Sequence, residues 1–242
     1  MISLNDKTAL VTGANRGIGK EIVNSFLAHG AKKVYLAVRN LESTIELEQK
    51  YGNKVVSVYL DLSIPETVAE LAKEVQDVDV VVNNAGVLTL TSPLDANVET
   101  VFKKELEVNV FGLLRMARAF TPALERNGGG VFVQINSIAS IIGGKTFGTY
   151  SASKAASYSF TQSLKECMKP KNIRVISVHP GPIDTDMGAE AGMKDIAEPA
   201  TVVSEGIIKA LENGSFHVFP DKMAKEFGKD YMPYAEKYIE IN

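Results

Sequence analysis

Short runs dominated by β-branched residues recur along the chain, separated by longer stretches with helical spacing. They are Thr8-Ala9-Leu10-Val11-Thr12, Lys33-Val34-Tyr35-Leu36-Ala37, Val55-Val56-Ser57-Val58-Tyr59, Val78-Asp79-Val80-Val81-Val82, Val131-Phe132-Val133-Gln134-Ile135 and Arg174-Val175-Ile176-Ser177-Val178. Near-continuous apolar strands of this length imply burial on both faces, which a sheet achieves when parallel strands are joined by helices packed above and below it. Between Gly19 and Gly30, Ile22, Val23, Phe26 and Leu27 recur at helical spacing, and Gly30 supplies a stop. Residues 97–127 read as one long helix closed by Gly128-Gly129-Gly130, and Ser63-Ile64-Pro65-Glu66 reads as a capping box in preference to a plain turn. A seventh short strand, Phe216 to Phe219, precedes a polar amphipathic tail at about 222–238. The expected architecture is α/β: a doubly wound parallel sheet of about seven strands with helices on both faces, three layers in all. No linker, repeat or low-complexity segment divides residues 1–242, so one domain is expected. Such sheets bind ligands beyond the carboxyl ends of their strands, near the switch in strand order, and function is to be sought there.

Composition removes several classes of function. The formal net charge is −3 and no Lys/Arg cluster is interleaved with aromatics, so nucleic acid is not an expected partner. No apolar run approaches the roughly 18 residues of a membrane span, and the first residues enter a strand pattern without the features of a secretory signal. A cytoplasmic protein with no membrane partner is expected. Cys167 is the only cysteine, which leaves no internal disulfide, redox pair or zinc set; no metal site is expected and Cys167 reads as an inert helix residue.

Directly after the first strand comes Thr12-Gly13-Ala14-Asn15-Arg16-Gly17-Ile18-Gly19, and then a helix. Glycines remove the Cβ atoms that would hold a backbone away from a pyrophosphate, and a helix N-terminus offers free amides with partial positive charge. A dinucleotide is the implied ligand, with Gly13, Asn15, Arg16, Gly17 and Ile18 as its contacts in this turn. The spacing is G-x-x-x-G-x-G, and Gly19-Lys20-Glu21 lacks the Lys-Ser or Lys-Thr of a nucleoside-triphosphate loop. The second strand ends Ala37-Val38-Arg39-Asn40, with no carboxylate to accept from an adenosine ribose. Arg39 and Arg16 stand where a 2′-phosphate would come, which favours NADPH/NADP+ over NADH/NAD+.

These residues resemble the short-chain dehydrogenase/reductase family, in its single-domain branch, over nearly the whole chain. The features that carry the resemblance are Thr12 to Gly19, Asp61-Leu62, Asn83-Asn84-Ala85-Gly86, Asn109, Ser137, Tyr150-Ser151-Ala152-Ser153-Lys154 and Pro180-Gly181, in order and each but Asn109, which lies in the long helix, at a strand end or helix start. The resemblance implies a Rossmann-type fold. It also implies that Asp61 and Leu62 flank the adenine, that Asn84, Ala85 and Gly86 line the adenosine ribose side, that Ile183 and Thr185 contact the nicotinamide end, and that Pro180 and Gly181 are among the cofactor's contacts. A helix N-cap for Asp61 and a simple turn for Asn83 to Gly86 are the plain alternatives.

Reducing a ketone builds negative charge on oxygen and requires a proton there. Tyr150 is the expected general acid/base and Ser137 the group that orients and polarises the carbonyl. Lys154, four residues from Tyr150 on one helix face, is expected to favour the phenolate, and by resemblance also bonds the nicotinamide ribose. Asn109 joins them by resemblance, shaping the long helix and holding a water that links Lys154 to solvent. His179 is read as structural. The segment from about 185 to 199 is expected to fold over the substrate, with Met187 and Met193 as pocket walls. Ile138, Ile141, Ile142 and Phe147 suggest an apolar ketone, aldehyde or alcohol. The long helices from Asn97 and Tyr150 point to a homodimer or homotetramer. The rival readings are a catalytically silent nicotinamide-binding sensor or scaffold, and an epimerase or dehydratase.

Overall fold

The computed structural model describes residues 2–240. Seven strands, β1 (Thr8–Thr12), β2 (Lys33–Val38), β3 (Val55–Tyr59), β4 (Val80–Asn83), β5 (Gly130–Ile135), β6 (Ile173–Val178) and β7 (His217–Val218), form one sheet in the order β3-β2-β1-β4-β5-β6-β7. Every pairing is parallel. Strand order reverses between β1 and β4, where the crossovers before and after diverge to opposite sides and leave a crevice at the carboxyl edge.

The residues of a strand divide between two cores because successive side chains point to opposite faces. On one face Ala9, Val11, Val80, Val82, Val131 and Val133 pack under α1 (Gly17–Ala28) and, beyond it, under α8 (Thr201–Asn213). On the other, Leu10, Val81, Phe132 and Val175 meet α3 (Pro65–Glu74) and α5 (Gly112–Arg126). The remaining helices are α2 (Ile45–Tyr51), α4 (Val98–Leu106), α6 (Gly148–Met168), the five-residue α7 (Asp186–Glu190) and the tail helix α9 (Lys222–Tyr238). No helix among the described residues is long and apolar enough to cross a membrane.

Two local expectations change. The stretch read as one helix is continuous but not uniform: α4 passes through a π-helical turn at Glu107–Phe111 before α5. The extra residue in that turn lets Asn109 face inward without breaking the helix. The capping box is absent. Ile64 is the N-cap of α3 and caps nothing with its side chain. Ser63 instead donates its amide (2.9 Å) and hydroxyl (2.6 Å) to Asp61 Oδ1. Asp61, two residues back, takes the Ser63 amide that the Glu66 carboxylate would have accepted in a capping box, so an Asx turn wins over the cap.

Candidate active site

β1 ends at Thr12, and the turn that follows requires glycines, Gly17 (φ +52°) among them. Gly13 is left-handed (φ +65°), and a Cβ on Gly19 would stand 2.1 Å from the Gly13 carbonyl oxygen. Thr12 Oγ1 accepts from the amides of Asn84 and Ala85, each at 2.9 Å, and Asn84 Nδ2 donates to the Thr12 carbonyl at 2.9 Å. The loops after β1 and β4 are thereby locked together across the reversal in strand order. Arg16 is the N-cap of α1 but makes no side-chain cap bond, so the first-turn amides remain open to the crevice.

The two arginines of the adenosine end differ. Arg39 is exposed and forms no salt bridge among the described residues. Arg16 Nη1 reaches Asp186 Oδ2 of α7 at 2.6 Å, with both side chains more than 60% exposed. Asp61 is near Arg39: burial would raise its pKa, but the bonds from Ser63 and the charge of Arg39 hold it below the ordinary carboxylate value.

At the other end, Ser137 follows β5. Its hydroxyl accepts from the Ala139 amide at 3.1 Å and donates to the Pro180 carbonyl at 3.3 Å. Tyr150 is the third residue of α6 and Lys154 lies one turn later, fully buried, its Nζ donating to the Ile135 carbonyl at 2.8 Å. Lys154 Nζ is 5.8 Å from the Tyr150 ring centre. Asn109 accepts from the Val87 amide and donates to the Val87 carbonyl and the Ser153 hydroxyl, all at 2.9 Å. It therefore fastens the loop after β4 to α6.

Burial dominates the electrostatics of Tyr150 and Lys154 in the chain alone. Burial pushes the Tyr150 phenol up to about 12; Ser137 opposes this and the charge of Glu105 adds to it. Burial pushes Lys154 down to about 8. In the chain alone, Tyr150 is thus a neutral phenol, a group able to give a proton at neutral pH.

One cavity of about 560 Å³ joins both ends. Every expected cofactor residue lines it, as do Ser137, Tyr150 and Lys154. Asn109 stands behind the wall, in contact through Val87 and Ser153. Ile138, Ile142, Phe147, Met187 and Met193 line the cavity, whereas Ile141 does not. His179 is fully buried, bonded to Ser140 (3.0 Å) and Ser177 (2.7 Å), and held down at about 3 by burial, so it is a structural ring. Cys167 is exposed on α6. No cluster of three metal-binding side chains occurs among the described residues. Sequence reasoning missed Leu88 on the cavity wall and Glu105 behind it. Glu105 had one signal: it precedes Asn109 by four, and so shares its inward face.

Residues 7–195 match the short chain dehydrogenase family model. An oxidoreductase of Staphylococcus epidermidis is 30% identical over 221 residues, covering 89% of this chain and 95% of that protein. An NADP-dependent 3-hydroxy acid dehydrogenase of Schizosaccharomyces pombe is 34% identical over 198 residues, covering 77% of this chain and 75% of that protein. The crystal structure of a short chain dehydrogenase from Burkholderia cenocepacia in complex with NADP superposes with a TM-score of 0.87 at 34% identity, covering 98% of this chain and 97% of that one.

Proposed function

Because the chain belongs to the short-chain dehydrogenase/reductase family, we propose that it is an NADPH-preferring oxidoreductase interconverting an apolar ketone or aldehyde and its alcohol, with Tyr150 as general acid/base. One observation carries the reading: a single cavity holds the glycine turn at one end and Ser137, Tyr150 and Lys154 at the other.

The residues present fit a dinucleotide. A turn without Cβ atoms at Gly13, Gly17 and Gly19 and an uncapped helix N-terminus suit a pyrophosphate, held by Gly13, Asn15, Gly17 and Ile18. Arg39 and Arg16 take the 2′-phosphate, Asp61 and Leu62 flank the adenine, and Asn84, Ala85 and Gly86 line the ribose side. Pro180, Gly181, Ile183 and Thr185 border the nicotinamide end. When bound, the nicotinamide supplies the hydride in reduction and accepts it in oxidation. Ser137 orients and polarises the carbonyl oxygen, and Tyr150 gives that oxygen its proton. Lys154 bonds the nicotinamide ribose and brings positive charge toward the phenolate that remains. The NADP-linked relative and the NADP-bound neighbour support the cofactor preference.

The substrate is a small or medium apolar carbonyl compound. Leu88, Ile138, Ile142, Phe147 and Met193 supply apolar wall, while the charged cavity residues other than Lys154, namely Arg16, Arg39, Asp61 and Asp186, belong to the cofactor side. Residues 1–242 act as one cytoplasmic catalytic domain in which the segment 185–199 closes on the substrate. Exposed Phe111 and Phe160, on the side of α4 to α6, support a homodimer or homotetramer. The test is a panel of ketones and aldehydes run with NADPH and NADH in parallel. Oxidation of NADPH by apolar members is expected; oxidation of neither cofactor by any member would favour the silent sensor or scaffold.

A further inference from the structure

The chain enters α9 through Phe219-Pro220-Asp221, and Asp221 is the N-cap of that helix. An N-cap ordinarily sits at the surface, yet Asp221 is buried, with 1% of its area exposed. Its Oδ1 accepts from the Ala224 amide at 2.9 Å, which is the cap bond. A serine or threonine would serve that amide without bringing a carboxylate into the interior. The second oxygen accounts for the carboxylate: Oδ2 accepts from the Gly181 amide at 2.7 Å, 40 residues back in the chain. A Cβ on Gly181 would stand 2.6 Å from Asp221 Oδ1, so this approach is open only to glycine.

The Gly181 amide belongs to the same peptide unit as the Pro180 carbonyl. On the far side of that unit the carbonyl accepts from the Ser137 hydroxyl at 3.3 Å and from the Ile138 amide at 3.0 Å. We propose that Asp221 is a positioning residue of the active site, which holds this one peptide plane between α9 and the loop after β5 and so sets where the Ser137 hydroxyl stands. This rests on the reading of Ser137 as the group that orients the substrate carbonyl. The unit is trans and planar, with N–H and C=O pointing opposite ways, so fixing one end fixes the direction of the other. A charge-assisted bond to the N–H also makes the C=O a stronger acceptor. Glu198 adds a second point of attachment: its Oε1 accepts from the Lys222 amide at 2.5 Å, and its amide donates to the Pro182 carbonyl at 3.1 Å. The first turn of α9 is thereby bound twice to the stretch Pro180-Gly181-Pro182, and its Met223 reaches the cavity wall. α9 is part of the site rather than a tail beside the sheet.

The test is amide hydrogen exchange, read residue by residue by NMR on the isotope-labelled full chain, in the parent and in Asp221→Ser. Serine keeps the cap bond to Ala224 and is too short, with a single oxygen, to hold Gly181 as well. Exchange is expected to quicken about ten- to hundredfold at Gly181 and about three- to tenfold at Ile138 and Ala139, with Ala224 changed less than about threefold. The Ala139 amide reports on Ser137 because it donates to that hydroxyl. Unmoved exchange at Gly181, or faster exchange there with Ile138 and Ala139 unmoved, overturns the proposal and leaves Asp221 a cap. A second readout is NADPH oxidation with benzaldehyde as an apolar probe. Its kcat is expected to fall about tenfold in Asp221→Ser, and less than about twofold when the same change is added to Ser137→Ala. Equal losses in the two backgrounds overturn the action through Ser137. If Asp221→Ser does not fold, as judged by circular dichroism, Asp221→Thr reads the same quantities with the same outcomes. Full carbonyl reduction by Ser137→Ala would instead overturn the role given to Ser137, while leaving the exchange result in place.

Discussion

At one end of the cavity Arg16 and Arg39 stand in solvent, and the main contacts offered are backbone amides of a turn that lacks Cβ atoms at Gly13, Gly17 and Gly19. At the other end Lys154 and Asn109 are buried, each bonded to fixed backbone groups, and the Tyr150 phenol titrates far from its ordinary value. Exposed charges are screened and interact weakly, so the first end recognises by summing modest contacts. Buried polar groups act in a low dielectric and leave unpaired partners when removed, so the second end is intolerant of change.

That contrast orders the expected effects of substitution. Tyr150→Phe should lower turnover by about 10²–10⁴-fold while NADPH binding stays within about threefold, read by steady-state kinetics and fluorescence titration. Retained turnover would erase the distinction between the two ends. Asn109→Ala would leave both backbone groups of Val87 without their partner and should cost about 2–4 kcal/mol. In a chain of this size that lowers the melting temperature by roughly 5–12 °C, which differential scanning fluorimetry can follow. A change below about 1 kcal/mol would mean that the wall does not depend on this side chain. Arg39→Ala should weaken NADPH about tenfold and leave NADH unaffected, a difference visible in KM for the two cofactors. The smallest effect is expected from Asp186→Asn, which frees Arg16 from its 2.6 Å ion pair. It should tighten NADPH by about two- to threefold at low salt and not at high salt, whereas equal tightening of NADH would place Arg16 away from the 2′-phosphate.

Strand ends could be read to within a residue or two because a strand buried on both faces leaves an unmistakable apolar run. The glycine turn was legible for a related reason: close backbone approach has a residue requirement, and Gly13 and Gly19 meet it. The cap at Ser63 is lost because two carboxylates, Asp61 and Glu66, can accept from one Ser63 amide, and only folded geometry puts Asp61 Oδ1 at 2.9 Å from it. Glu105 was hard to find since a glutamate on an amphipathic helix reads as surface, its four-residue spacing from Asn109 being the one sign of an inward face. The neutral state of Tyr150 was hidden too, because burial is a property of everything packed around a group and not of its neighbours in sequence.

What the chain determined on its own account is therefore local and periodic: which runs become strands, which loop admits a phosphate, and which side chains are chemically able to move a proton. Those follow from sterics, from alternation and from functional groups, each of which is carried by a residue or its near neighbours. The tertiary structure decided the rest: the reversal in strand order that opens the cavity, the pairing of Arg16 with Asp186 across it, the fastening of Asn109 behind its wall, and the protonation of Tyr150 and Lys154. All of these depend on desolvation and on contacts between segments far apart in the chain, and neither quantity exists until the layers have packed.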